Sequence, residues 1–286
     1  MNLSELTYRI ARVLGIVEVS TATGGSTTTI VDTVGRKEAD SYWVGVGNKT
    51  STVWIIQDAG GAGAAPEGEF GKVTGYTLTT PASTVTFTPA MSVSVAVGDL
   101  YAIAKKRYPL HILIQMVNQS LSDLGSIPYT DTTSLVTSSN QTEYTLPVDA
   151  GMDLRGVYCQ GYTSDADDNQ WSQFPFKIIP ADVGTGHTLV LPQLPDGRKL
   201  MLVYMRVHPS MLAWDDELSE MVHPDLVVYN AAYKCLRWWQ ARTSSIDAAL
   251  MKQMADVELD VNRSKVQYPI RVPKRQSRYM YIGDEG

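Results

Sequence analysis

The feature that most constrains the fold is a change of residue pattern near residue 105. Between Val17 and Lys105 the chain is rich in threonine, valine, glycine and serine, and apolar residues alternate with polar ones over short runs. Such alternation is typical of β-strands that bury one face. Glycine-rich turns such as Gly60–Gly63 connect the runs. The sequence therefore predicts a small all-β module, a sandwich or a barrel, over residues 17–105.

Helical patterns lie on both sides of this module. In residues 1–16, apolar residues recur at helical spacing before Gly15, which predicts an N-terminal helix that packs with a second domain. That second domain, 106–262, opens with a helix that begins near Pro109, continues with antiparallel strands, and closes with helices that begin at Pro224 and Ser245. The predicted fold class is α+β.

Residues 263–286 predict an extended C-terminal arm. Pro269 and Pro273 oppose a helix, and the segment is too apolar to remain a plain solvated tail, so we expect it to become ordered against a partner. A disordered tail is the alternative. The residues expected to bind the partner are Arg263, Lys265, Arg271, Lys274, Arg275, Arg278, Tyr279, Tyr281 and Ile282.

Charge is unevenly distributed along the chain. The formal net charge is −6, from 24 basic and 30 acidic residues, which argues against a protein that binds nucleic acid over its whole surface. The arm carries six basic residues and no acid between Arg263 and Arg278, which leaves −12 on the rest. We therefore expect the arm of one copy to lie on the acidic body of another. The candidate acceptor is the run Asp215, Asp216, Glu217 and Glu220, although a solvated face beside a helix start is the simpler interpretation.

Length, cysteines and hydropathy limit the class of protein. A chain of 286 residues buries enough surface to fold without metal or disulfides. Cys159 and Cys235 lack metal or redox spacing, which favours a reducing compartment. No apolar run approaches the 18 residues of a membrane span, and the N-terminus has no secretory signal pattern. A soluble protein with no membrane partner is predicted.

The motifs of common enzymes are absent from the sequence. No phosphate-binding loop, dinucleotide fingerprint or nucleophile elbow occurs, and the four histidines have no metal-ligand spacing. Asp165–Asn169 resembles the start of a calcium loop, but Gln170 and Phe176 stand where glycine and glutamate are needed, so a solvated turn is favoured over weak cation binding. We expect no catalytic residue, no cofactor and no metal.

Two interpretations of a binding or catalytic surface remain open. Asp215, Asp216 and Glu217 could supply the two carboxylates of a glycosidase. Trp238 and Trp239 could stack on bases or sugars, but their helix favours a core or a packed subunit boundary.

Two stretches of the chain resemble virion proteins of tailed bacteriophages. The first resembles their small β-modules, in Asp32–Val34, Tyr42–Trp43, Thr52–Ile55, Asp58–Gly63, Phe87–Ala90 and Gly98–Tyr101. The second is similar to their head-to-tail connector proteins, also called adaptor or neck proteins, in Val117–Gly125, Glu143–Pro147 and the helices after Val222–Pro224.

This resemblance implies a structural role. Such adaptors form rings, commonly of twelve copies, below the capsid portal, and their C-terminal arms reach the portal or a neighbour. The implied partners are other copies of the chain, the portal and the next neck or tail protein, with DNA only as transient cargo. The implied location is the neck or tail of a virion assembled in the host cytoplasm. Alternatives are a tail-tube, terminator or baseplate component, or a glycan-binding or glycan-degrading phage protein.

Overall fold

The computed structural model describes residues 1–47, 49–151, 153–161, 170–181, 186–243 and 247–274. Helices and antiparallel sheets are both present, and the first element is a helix, so the predicted α+β class is confirmed. The helices are α1 (Leu3–Val13), α2 (Leu110–Asp123), α3 (Pro224–Gln240) and α4 (Ala248–Gln267), with a short 3-10 helix at Val148–Ala150.

Fourteen strands are formed within the described residues. They are β1 (Val17–Thr21), β2 (Gly24–Gly25), β3 (Thr29–Asp32), β4 (Thr52–Gln57), β5 (Phe70–Thr79), β6 (Ala82–Thr88), β7 (Leu100–Ala104), β8 (Ser126–Val136), β9 (Glu143–Thr145), β10 (Leu154–Gln160), β11 (Trp171–Phe174), β12 (Lys177–Ile179), β13 (Thr188–Val190) and β14 (Lys199–Val207).

The chain forms two compact units that differ from the predicted domains. Unit 1 comprises Met1–Asp123 and Pro209–Pro269, and unit 2 comprises Leu124–His208 and Ile270–Gly286. The predicted boundary near residue 106 therefore falls inside unit 1, and the predicted 106–262 domain is divided between the units. Helices α2, α3 and α4 belong with the β-module of 17–105, not with the later strands.

Unit 1 contains one seven-stranded antiparallel sheet in the order β1-β7-β4-β5-β6-β3-β2. Strands β1 and β2 are at opposite edges of this order, yet only Ala22 and Thr23 separate them in sequence. The Ala22 N–H donates to the Asp99 carbonyl at 2.8 Å, and the Thr23 N–H donates to Val31 at 2.8 Å. The sheet must therefore curl until its two edges meet.

Buried polar side chains hold the two edges together where β1 faces β3, a place we call the seam. Asp32, which is fully buried, accepts hydrogen bonds from the Ser20 hydroxyl at 2.5 Å and the Tyr101 hydroxyl at 2.7 Å. Arg36 donates through Nε to Tyr101 at 3.1 Å and through Nη1 to Glu18 at 2.9 Å. A Cβ on Gly35 would overlap the Ser20 hydroxyl, so glycine is required at this close approach.

Helix α1 joins the sheet to the other helices of unit 1. Asn2 and Glu5 form a reciprocal capping box that fixes its start. Its apolar face, which includes Leu3, Leu6 and Ile10, is fully buried, and the helix contacts both α2 and α3. On the sheet side, Trp54 Nε1 donates to the Thr7 hydroxyl at 3.1 Å. The β-module keeps its own cluster of buried residues, which includes Trp43, Val53 and Tyr101, and α1 links this module to the other helices.

Unit 2 contains a four-stranded sheet, β11-β10-β14-β8, and a three-stranded sheet, β12-β13-β9. Two successive strands of this unit lie in different sheets although they are close in sequence, since β11 ends at Phe174 and β12 begins at Lys177. Pro175 explains the break, since proline cannot donate to a ladder. Leu154, Leu189 and Leu202 are central to the common core of the two sheets.

The extended arm begins later than residue 263. Helix α4 continues to Gln267, with Val261 and Ser264 buried on its inner face, because the first proline comes only at position 269. Proline disfavours helical geometry in the residue before it, and Tyr268 has φ −124° and ψ 61°. Arg263 and Lys265 therefore lie on a helix, contrary to prediction. Among the described helices, none is long and apolar enough to cross a membrane.

We predict that Asp32→Ala destabilises the protein by about 3 kcal/mol, because it leaves buried donors on Ser20 and Tyr101 without an acceptor. Urea denaturation followed by circular dichroism measures this change. Asp256→Ala removes an exposed aspartate of α4 and is the matched control, expected to change stability by no more than about 0.5 kcal/mol. Equal effects of the two substitutions would contradict a role for the seam.

The seam also predicts how stability depends on pH. Burial by itself raises the pKa of Asp32, but hydrogen bonds from Ser20, Gly35, Tyr101 and Val34 outweigh it, and the net pKa is lowered. The contribution of Asp32 is therefore present above the unfolded-state pKa of about 4 and is lost as the pH falls through the lower folded-state value. We expect the stability difference between the wild type and Asp32→Asn to shrink below about pH 4. Urea titrations between pH 2.5 and 7 test this, and a constant difference would refute it.

Candidate functional site

The predicted arm residues lie partly within the described structure. Arg263 pairs with Asp260 at 3.3 Å on the exposed side of α4. Arg271 and Lys274 are exposed, and neither has a carboxylate within 4 Å among the described residues. Residues Arg275, Arg278, Tyr279, Tyr281 and Ile282 lie outside the described ranges. Within residues 270–274, Arg271 and Lys274 are therefore cations without a carboxylate partner in the described structure.

The start of the arm is fixed to unit 1 by an aromatic stack. The Tyr268 ring lies 3.5 Å from the His223 ring, centroid to centroid, with 6° between their planes. His223 is also the N-cap of α3, where its Nδ1 accepts from the Asp225 N–H at 3.3 Å. The chain therefore leaves α4 beside the first turn of α3.

The predicted acidic acceptor lies in unit 1, in the segment between Pro209 and the start of α3. Asp215, Glu217 and Glu220 are exposed, and no cation of the described chain lies within 4 Å of them. Two large apolar side chains next to them in sequence are also exposed, Leu212 by 71% and Met221 by 52%. We call these five residues the acidic surface. This surface therefore combines unpaired carboxylates with two exposed apolar side chains.

Asp216, the fourth predicted acceptor, is used locally. Its carboxylate accepts from the Leu212 N–H at 2.5 Å and the Ala213 N–H at 2.8 Å. These backbone hydrogen bonds lower the pKa of Asp216. A glycosidase acid needs a raised pKa so that it holds its proton at neutral pH. The geometry therefore gives Asp216 a turn-forming role and does not favour it as a general acid.

Neither cysteine has the environment of a nucleophile. Burial raises the pKa of the Cys235 thiol far above its usual range, and it also raises that of Cys159. A reactive cysteine instead needs a lowered pKa. Within the described ranges, no three His, Cys, Asp or Glu side chains are grouped to hold a metal ion. The Asp165–Asn169 run is outside those ranges.

A second charged surface was not predicted from the sequence. Arg107 lies 4.5 Å above the Trp239 ring, and Arg242 lies 4.1 Å above the Trp238 ring. We define the basic–aromatic patch as these four residues together with Lys72 and Lys106. None of its four cations has a carboxylate within 4 Å in the described structure. In the sequence, Lys105–Arg107 indicated only a domain boundary. The signal that could have indicated the patch was this basic run together with the aromatic residues of the later helix.

A cleft of about 280 Å³ lies between α1 and β4. Tyr8, Arg9, Arg12, Trp54 and Glu67 are among its lining residues. Arg9 already pairs with Asp225 at 3.6 Å, and the lining carries both signs of charge. The cleft brings together no nucleophile and base, so it supports no particular reaction.

No protein-family model matches the chain. No curated protein matches it significantly in sequence.

We predict that Tyr268→Ala frees the start of the arm, because it removes the stacked ring from His223. Such a stack contributes about 0.5–1.5 kcal/mol beyond burial. Hydrogen exchange of residues 264–270 should become faster by about threefold to tenfold. Tyr268→Phe keeps the ring and should exchange as the wild type does. Equal exchange in Tyr268→Ala and the wild type would show that the stack does not hold the chain.

Proposed function

We propose that this protein is a structural subunit of a phage virion that assembles into a ring between the capsid portal and the tail. The observation that carries the proposal is unpaired charge of both signs on exposed surfaces. Asp215, Glu217 and Glu220 have no cation partner in the described part of the chain, and Arg271 and Lys274 have no carboxylate partner there. Surfaces of this kind are complementary between copies or between partners.

The chemistry of the described side chains supports a non-enzymatic role. The buried cysteines have raised thiol pKa values, and the carboxylate of Asp216 is committed to a turn. The buried charged groups Asp32 and Arg36 both hydrogen-bond to the Tyr101 hydroxyl and close the seam. Their environment is that of a structural network.

Ring formation requires one heterologous contact that repeats until the rotation closes. In the proposed ring, the arm beyond Pro269 binds the portal or a neighbouring copy, and the next neck or tail protein binds below. DNA is transient cargo, since an acidic wall repels phosphate. The proposed location is the neck of the virion.

The proposal predicts that deleting residues 270–286 leaves a folded protein with weakened assembly. Deletion must begin after Pro269, because removal from residue 263 would take the last turn of α4 and the buried Ser264. We expect the thermal midpoint to stay within about 3 °C and affinity for other copies or for the portal to fall at least about tenfold. Native mass spectrometry of the protein alone and with portal measures both kinds of binding.

A matched control keeps the arm but changes its charge, with glutamine at Arg271, Lys274, Arg275 and Arg278. If charge drives binding, this variant should resemble the deletion at low salt. A wild-type protein that remains monomeric and does not bind portal would refute the proposal. Polymerisation into tubes would favour a tail-tube component, and specific binding on a glycan array would favour a glycan-binding protein.

A further inference from the structure

The basic–aromatic patch and the acidic surface both belong to unit 1, and they lie far apart on it. The Leu3 N–H donates to the Asp216 carbonyl at 2.9 Å, which places the acidic surface at the start of α1. The Lys105 N–H donates to the Ile16 carbonyl at 3.1 Å, which places the patch just beyond the end of α1. An 11-residue helix is about 16 Å long.

The lengths of α2 and α3 also separate the acidic surface from the basic–aromatic patch. The Asn118 side chain of α2 donates to the Met211 carbonyl at 2.8 Å, beside the acidic surface. The ring of Tyr108, which precedes α2, lies 6.2 Å, centroid to centroid, from the ring of Trp238 near the C-terminal end of α3. Glu220 precedes α3 and Arg242 follows it. The 17 residues of this helix, which is about 25 Å long, therefore separate the two side chains. Salt screens exposed charges over about 8 Å, so the two surfaces do not neutralise each other within one copy.

The centre of the patch is formed by two segments, since Arg107 lies over Trp239, Arg242 lies over Trp238, and the two rings are 6.5 Å apart. Lys72 lies opposite Thr52, which in turn pairs with Ala104, so Lys72 is two strands from the Lys106 segment. Partial burial lowers the pKa of His111, and the charges of Arg242 and Lys72 lower it further. Like charges gathered without counter-charges raise the energy of the isolated chain, and a partner of opposite sign relieves this.

We infer that the basic–aromatic patch of one copy binds the acidic surface of a second copy. Both surfaces combine exposed charge with apolar groups, the rings of Trp238 and Trp239 on one and the side chains of Leu212 and Met221 on the other. A charged rim around an aromatic and methionine centre is the usual composition of a protein interface. Because the two surfaces differ and lie apart, the contact is head-to-tail.

The inference rests on the proposed ring and supplies the contact that repeats around it. It also assigns the acidic surface to the patch of a neighbour and leaves the arm for another receptor. Nucleic acid is a less suitable occupant of the patch, since the body around it is acidic and repels phosphate.

Charge reversal in the full-length chain tests the contact. Lys106→Glu/Arg242→Glu makes both surfaces acidic, and Asp215→Lys/Glu220→Lys makes both basic; all four residues are exposed. Each double variant alone should associate at least about tenfold more weakly than wild type, because like charges meet. An equimolar mixture of the two should associate again, since each surface then finds its opposite. Sedimentation velocity over a concentration series measures the association of each double variant and of their mixture.

The matched control is Lys37→Glu/Lys252→Glu, which changes net charge equally at exposed lysines outside both surfaces and should associate as wild type does. Circular dichroism checks that each variant is folded. If Lys106→Glu/Arg242→Glu fails to fold, Lys106→Gln/Arg242→Gln replaces it. This neutral variant should weaken association less than charge reversal would.

Association of the variants at wild-type strength, or no recovery in the mixture, overturns the inference while the ring proposal stands. If the wild-type protein does not self-associate, the inferred contact is overturned. If it also does not bind portal, the ring proposal is overturned as well. Binding of a labelled DNA oligonucleotide that Lys106→Glu/Arg242→Glu abolishes, with self-association unchanged, would make the patch a nucleic-acid surface and also overturn the inference.

Discussion

The closure of the curled sheet of unit 1 depends on charged side chains at the seam. Ordinary strand pairing joins the other neighbours in that sheet, but β1 and β3 meet across side chains, with Asp32 on one edge and Ser20 on the other. Burial of an ion costs several kcal/mol, and only a complete set of partners offsets that cost. Arg36 completes the set, since it bonds to Tyr101 and Glu18 and lies 5.1 Å above the Trp43 ring. The closed sheet then offers α1 a fixed surface.

Helix α1 explains why unit 1 is larger than the β-module. Its buried face packs on α2 and α3, while Thr7 and Tyr8 contact Trp54 of the sheet. A β-module that shares its first helix in this way is not an independent domain. The later chain, from Pro209 onward, returns to the same helix, where the Ser4 N–H donates to the Trp214 carbonyl. The strands of unit 2 are thus inserted between two segments of unit 1.

The sequence allowed prediction of elements whose apolar residues are strongly periodic. Helix α2 begins one residue after Pro109, and α3 begins at Pro224 as expected. Strand β8 was missed because Thr130–Ser134 is polar and Asp131 accepts hydrogen bonds within a bulge. The acidic cluster could be found because it is contiguous. The basic–aromatic patch could not, because folding brings Arg107 and Arg242 onto two neighbouring rings from segments far apart in the chain.

The stack of Tyr268 on His223 has a further consequence for how tightly copies could hold together. It attaches the C-terminal segment three residues beyond Glu220, at the surface where we infer that a neighbour docks. Six residues lead from Tyr268 to Lys274, the last described residue, and fully extended they reach at most about 20 Å. A tether of that reach confines its binding groups to a small volume, equivalent to roughly millimolar local concentration. Two individually weak contacts would then act as one strong attachment.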